Sequence, residues 1–176
     1  SGNETDAYNT TVANQPTFAT NAINFNPAIN FTTSSSFYYN SPDLTNIRQS
    51  YWVVQDANTT AGADYYHVLY SAGTAPNFHG GIGSTLQLST QMTASQGSWR
   101  KDGVVGSASS TYDFGPKGQP NLITSTALID ASPFSAQSIS FQSGTNRYWN
   151  GPIAEIITFQ NPNTATQQNI VESYLG

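Results

Sequence analysis

The sequence predicts an all-β protein: a two-sheet antiparallel sandwich closed by one short C-terminal helix. Short apolar runs alternate with clusters of Gly, Pro, Asn, Asp and Ser, which is how a sandwich of short strands reads along a chain. Helical periodicity is confined to residues 164 to 175. Aromatic residues reach 12% while charged residues fall to 9%, so the chain has ample material for a core and a polar but weakly charged surface. With ten Tyr, nine Phe and three Trp, it offers far more burial than a disordered chain.

The strands follow in order. Ile23, Phe25, Ile29 and Phe31 alternate around Asn26-Pro27, which predicts a strand interrupted by a bulge or turn, because proline cannot donate to a ladder. Phe37-Tyr38-Tyr39 begins another strand. Tyr51-Trp52-Val53-Val54 is a continuous apolar run of β-formers, expected in the middle of a sheet and buried on both sides. Beyond the loop from Asp56 to Asp64, Tyr65 to Tyr70 reads as a strand, with Tyr66, Val68 and Tyr70 on one face and Tyr65, His67 and Leu69 on the other. Leu86 and Leu88 alternate after a glycine-rich stretch. Trp99 to Val105 forms a hairpin around Asp102-Gly103, the pair suited to a two-residue turn with positive φ at both positions. Leu122 to Leu128, Ile139 with Phe141, and Ile153 to Phe159 supply the remaining strands. Thr164 and Gln167 have capping-box spacing, Ile170/Tyr174 and Val171/Leu175 pair at i,i+4, and Gly176 suits the C-terminal cap.

At 176 residues the chain is about one domain, residues 1 to 176, large enough to bury roughly 70% of its unfolded surface without disulfide or metal. The net charge of −5 and only five Lys and Arg, without a basic run, argue against nucleic acid as a partner and against an anionic membrane surface. No apolar stretch predicts membrane insertion. The absence of cysteine excludes thiol catalysis and Cys-based zinc sites. The Thr/Asn-rich texture suits a secreted or cell-surface location. The abrupt start at Ser1-Gly2-Asn3-Glu4 suggests a module cut from a longer chain whose flanking domains are its neighbours.

Near the C-terminus, Arg147-Tyr148-Trp149-Asn150-Gly151-Pro152 runs into Ile153-Ala154-Glu155-Ile156-Ile157-Thr158-Phe159, and the helix ends in Glu172-Ser173-Tyr174-Leu175. This order resembles the closing segment of LamG-like, concanavalin A-like jelly-roll domains of large secreted bacterial surface proteins. Asn14 to Phe18 and Ala22 to Phe31 resemble the opening strands of such domains, so the likeness covers most of the chain and is faintest over residues 56 to 97. The resemblance implies a jelly-roll fold and a role in surface recognition, and it names no ligand.

The residues that could carry chemistry are few. Retaining glycosidases need two carboxylates about 5 to 5.5 Å apart. The last strand offers only Glu155, between apolar Ile153 and Ile157. His67 with Tyr65 is the nearest approach to a lyase arrangement, and no GxSxG elbow exists. An enzyme is therefore not expected. Sugar binding needs aromatic faces ringed by polar side chains. The candidates are Tyr65-Tyr66, Phe78-His79 and Tyr148-Trp149, with Arg147 available to a carboxylate or sulfate, although Trp149 could equally belong to the core. Asp56, Asn58 and Asp64 form the densest oxygen cluster and the candidate site for a Ca²⁺ ion, or otherwise a solvated loop of Asx-turns.

The expected function is a non-catalytic recognition or adhesin module that binds carbohydrate or a cell-surface glycan, with Ca²⁺ ordering its loops. The alternatives are a structural spacer or protein-docking domain and, third, a polysaccharide-active enzyme.

Overall fold

The apolar run Tyr51-Trp52-Val53-Val54 lies in β6 (Gln49–Gln55), a strand with neighbours on both sides and cover on both faces. The computed structural model describes residues 7–32, 36–39, 44–57, 67–71, 77–80, 85–87, 96–106, 113–116, 118–127, 134–136, 138–140 and 148–176. Within them β6 is flanked by β13 (Pro120–Ala127) and β16 (Gly151–Phe159). Beyond β13 come β10 (Gln96–Lys101) and β11 (Val104–Val105); beyond β16 come β3 (Asn26–Phe31) and β2 (Thr17–Ile23). These seven strands form one antiparallel sheet in the order β11-β10-β13-β6-β16-β3-β2.

Other strands pair apart from it. β1 (Ala7–Tyr8), β4 (Phe37–Tyr39), β15 (Ser138–Ile139), β7 (His67–Ser71) and β8 (Asn77–Gly80) are joined in the order β1-β4-β15-β7-β8. Two short ladders join β9 (Thr85–Gln87) to β12 (Asp113–Pro116) and β5 (Leu44–Ile47) to β14 (Phe134–Ala136). The helix α1 (Ala165–Leu175) ends the chain. Among the described residues, no helix is long and apolar enough to cross a membrane.

Register divides the large sheet into two unlike faces. Trp52 stands opposite Ile123 and Ile156, and Val54 opposite Ile153, so one face is apolar. Trp52, Val54, Ile123 and Ile153 are buried there. Ile139 of β15 lines a small apolar gap of about 230 Å³ with Ile29, Phe31 and Ile153. The other face carries Gln49, Tyr51 and Val53 of β6, with Thr126, Thr124 and Leu122 of β13 beside them. Tyr51 meets Phe159 edge to face, with ring centroids 5.8 Å apart.

The Asp102-Gly103 hairpin forms as expected: Lys101 opposes Val104, and the two turn residues take φ of 49° and 78°. Thr164 caps α1, its hydroxyl accepting from the Gln167 amide while the Gln167 side chain accepts from the Thr164 amide. Gly176 N–H donates to the Glu172 carbonyl at the other end. The expected break near Asn26-Pro27 falls two residues earlier, in a two-residue turn at Asn24-Phe25 between β2 and β3.

The entry to β16 is held against the exit of β6. Ala57 N–H donates to Asn150 O at 2.9 Å, and Gly151 follows at φ +134°. A Cβ on Gly151 would collide with the Gln55 carbonyl oxygen and stand 2.8 Å from the Ala57 nitrogen. Neither atom can yield without breaking the junction. Gly151→Ala is therefore expected to destabilise the protein by roughly 3 kcal/mol or more, as read from chemical denaturation. A loss below about 1 kcal/mol would show that the two strand ends are not packed this closely.

Candidate functional site

The polar face of the large sheet is covered by α1, and the contact is made by side chains that would ordinarily remain in water. Arg100 on β10 stands opposite Thr124 on β13, which stands opposite Tyr51 on β6. Glu172 reaches down between them. Its Oε1 accepts from the Thr124 hydroxyl at 2.8 Å and its Oε2 lies 3.1 Å from Arg100 Nη2, with only 7% of the side chain exposed. Arg100 also donates to Gln168 Oε1, Asn169 Oδ1 and the Gly103 carbonyl. At the other end of the helix, Asn163 N–H donates to Gln49 Oε1 at 2.6 Å and its side chain to the Tyr51 hydroxyl at 3.2 Å. Burial pushes the Tyr51 phenol above its ordinary pKa and the nearby Glu172 charge adds to the rise, while the Asn163 bond and Arg100 oppose it.

The C-terminal end of this helix walls a groove. Pairing between β3 and β16 stops at Ile29 opposite Ile153. Beyond it, Pro27 brings no amide hydrogen to a ladder, and β16 shifts register at Ala154. The sheet surface is open where these strands part. The resulting cavity of about 750 Å³ runs from Asn24 and Asn26 across Ala154 and Val53 to Asp102, Glu172 and Ser173. A contiguous recess of about 350 Å³ shares Asn26, Val53, Ala154 and Leu175 and adds Pro27, Glu155 and Tyr174.

The groove lining is mixed, with Ile23, Val53, Leu122 and Leu175 beside Asn24, Asn26 and Ser173, and its charged groups are acidic. Asp102, Glu155 and Glu172 are among its lining residues, which include no Lys or Arg. Arg100 is nearby but committed to the helix. Two of the three carboxylates already have structural work: Glu172 holds α1, and Asp102 Oδ1 accepts from Leu122 N–H at 2.9 Å. Tyr174 borders the recess with 72% of its surface exposed, and Phe25 projects from the turn between Asn24 and Asn26 at 92%.

The sequence-predicted residues that the structure describes do not line this groove. Trp149 is fully buried, and its backbone N–H donates to the Ser140 hydroxyl at 2.9 Å. Its indole belongs to the interior and offers no face for stacking, because Asn150-Gly151 is drawn against β6 instead of projecting. Tyr148 is half-buried beside it. Phe78 and His79 lie on β8, opposite Tyr70 and Val68, and His67 stands opposite Gly80. Tyr65, Tyr66 and Arg147 lie outside the described residues. Of the proposed Ca²⁺ ligands, Asp56 is 1% exposed and its carbonyl accepts from Gly118 N–H at 2.7 Å; Asn58 and Asp64 lie outside the described residues. Among the described residues, no group of three or more His, Cys, Asp or Glu could hold a metal ion.

Sequence reasoning missed Phe25, Tyr174, Glu172 and Ala154. Phe25 fits an alternating strand with Ile23, and Tyr174 pairs with Ile170, so both read as packing residues. Only Asn24, at ease with positive φ, hinted at a turn. Nothing near Glu172 in the sequence announces its partners Arg100 and Thr124.

Removing the anchor should loosen the wall. Glu172→Ala is expected to cost about 2 to 3 kcal/mol and to raise amide exchange along α1, whereas Glu172→Gln, which can still meet Thr124, should cost less. Equal stability of Glu172→Ala and the parent chain would show that the helix is held by its apolar contacts alone.

No family model, no curated protein and no solved structure matches this chain.

Proposed function

We propose that this chain is a LamG-like, concanavalin A-like jelly-roll sandwich serving as a non-catalytic recognition module of a secreted or cell-surface bacterial protein, and that it binds glycan. The observation that carries the reading is the groove beside α1, a channel of mixed polar and apolar lining bordered by exposed Tyr174, with exposed Phe25 on the turn that carries Asn24 and Asn26. Pyranose rings present both an apolar CH face and a rim of hydroxyls, so they are recognised by this combination of aromatic surface and hydrogen-bonding groups. Asn24, Asn26 and Ser173 contribute such groups to the lining.

The non-catalytic part of the proposal rests on the carboxylates. Glycosidic cleavage needs a proton donor and a second carboxylate facing the same bond. Glu172 and Asp102 are bonded to the scaffold, leaving Glu155 to face the recess without a second uncommitted carboxylate in the lining. The jelly-roll part rests on the seven-stranded antiparallel sheet and on Ile139, which lines an apolar gap together with Ile29, Phe31 and Ile153 of that sheet. A Ca²⁺ contribution would belong to the loop from Asp56 to Asp64.

A glycan array on the 176-residue chain, run in calcium and in chelator, tests the reading when paired with a groove-filling variant. Ser173 is an exposed helix residue that lines the groove, so Ser173→Trp should keep the melting temperature and lose binding at least tenfold. Binding retained by this variant would move the site away from the groove. No binding by the parent chain in either buffer would favour the spacer or protein-docking role.

A further inference from the structure

The tip of the β2–β3 hairpin has a composition that the fold does not require. Ile23 opposes Asn26, and the two residues between them take φ of 47° and 66°, the geometry of a type I′ turn. Asparagine suits the first position. The second is ordinarily glycine, because a bulky side chain at positive φ crowds its own backbone. The same turn type at Asp102-Gly103 has glycine there, at φ 78°. At Phe25 the chain instead places a phenyl ring, and burial does not compensate for it: at 92% exposure this is the most exposed large apolar residue among those described. The position is disfavoured twice, by backbone strain and by apolar surface left in water.

Strain and exposure together at one residue point to use. Asn24 and Asn26, on either side of Phe25, both line the groove, and Tyr174 borders it from the helix. Glu172 is paired with Arg100, which leaves Asp102 and Glu155 to give a lining without Lys or Arg its net negative charge, so a carboxylated or sulfated ligand would meet like charge there.

We infer that Phe25 is a ligand-contact residue of this groove, stacking on the apolar face of an uncharged sugar, and that the groove discriminates against anionic sugars. The inference rests on the glycan reading of the same groove. It narrows the proposed glycan to a neutral one, and it assigns the aromatic platform to the hairpin tip and to Tyr174.

The test measures stability and affinity on the same variants. The probes are neutral gluco- and xylo-oligosaccharides, with oligogalacturonides as the anionic comparison. Phe25→Gly should raise the melting temperature by about 2 to 4 °C and weaken binding of the neutral probe about tenfold. Phe25→Asn, which also tolerates positive φ, should weaken binding in the same way. Phe18→Ser, which removes a 67% exposed phenylalanine from β2, should leave affinity within about twofold. Unchanged affinity in both Phe25 variants would overturn the contact, as would tighter binding of oligogalacturonides than of the neutral probes. Absence of binding to every sugar by the parent chain would sink the glycan reading itself, and this inference with it.

Discussion

One buried carboxylate sets the position of the C-terminal helix. Glu172 is the buried residue of α1, and it is joined to two strands at once, through Arg100 on β10 and Thr124 on β13. A buried ion pair adds little net stability, because the desolvation of both charges offsets most of their attraction. It does demand one geometry. An apolar helix face could slide or rotate over the sheet at small cost, whereas Glu172 meets both partners in one placement only. That placement determines where Ser173, Tyr174 and Leu175 stand, and therefore where the groove has its wall.

The sheet beneath is built to accept such a cover. Its apolar face, with Trp52, Val54, Ile123 and Ile153, supplies the hydrophobic driving force, each large side chain worth roughly 1.5 to 3 kcal/mol on burial. The opposite face, with Gln49, Tyr51, Thr124 and Thr126, is bonded to α1 and the segment leading into it, or across to neighbouring strands. Stability is concentrated on one side and positional definition on the other. The groove lies on the second side, where β3 and β16 part.

What the sequence revealed follows the range of the interactions. The Asp102-Gly103 turn, the capping box at Thr164 and Gln167, and the doubly buried strand around Trp52 are specified by neighbouring residues, so they could be read directly. The segment resembling "-ESYL-" was visible as a motif, but its physical content was not: Glu172 anchors, Tyr174 faces outward, and Leu175 is half-buried. Trp149 read equally as core or as a stacking face because a turn follows it, and Gly151 allows that turn to press against Gln55 and Ala57 while the indole is buried. Phe25 was hidden for the opposite reason. Its alternation with Ile23 suggested a strand, and only the paired positive φ values place it at a hairpin tip.

We propose the groove between the β2–β3 turn and the end of α1 as the recognition surface. Backbone amide shift mapping during titration with a neutral oligosaccharide tests it most directly. Perturbations are expected to concentrate at Asn24 to Asn26, Ala154, Glu155 and Ser173 to Gly176, saturating together with one affinity. Saturable shifts confined to other parts of the chain, with these residues unmoved, would contradict it.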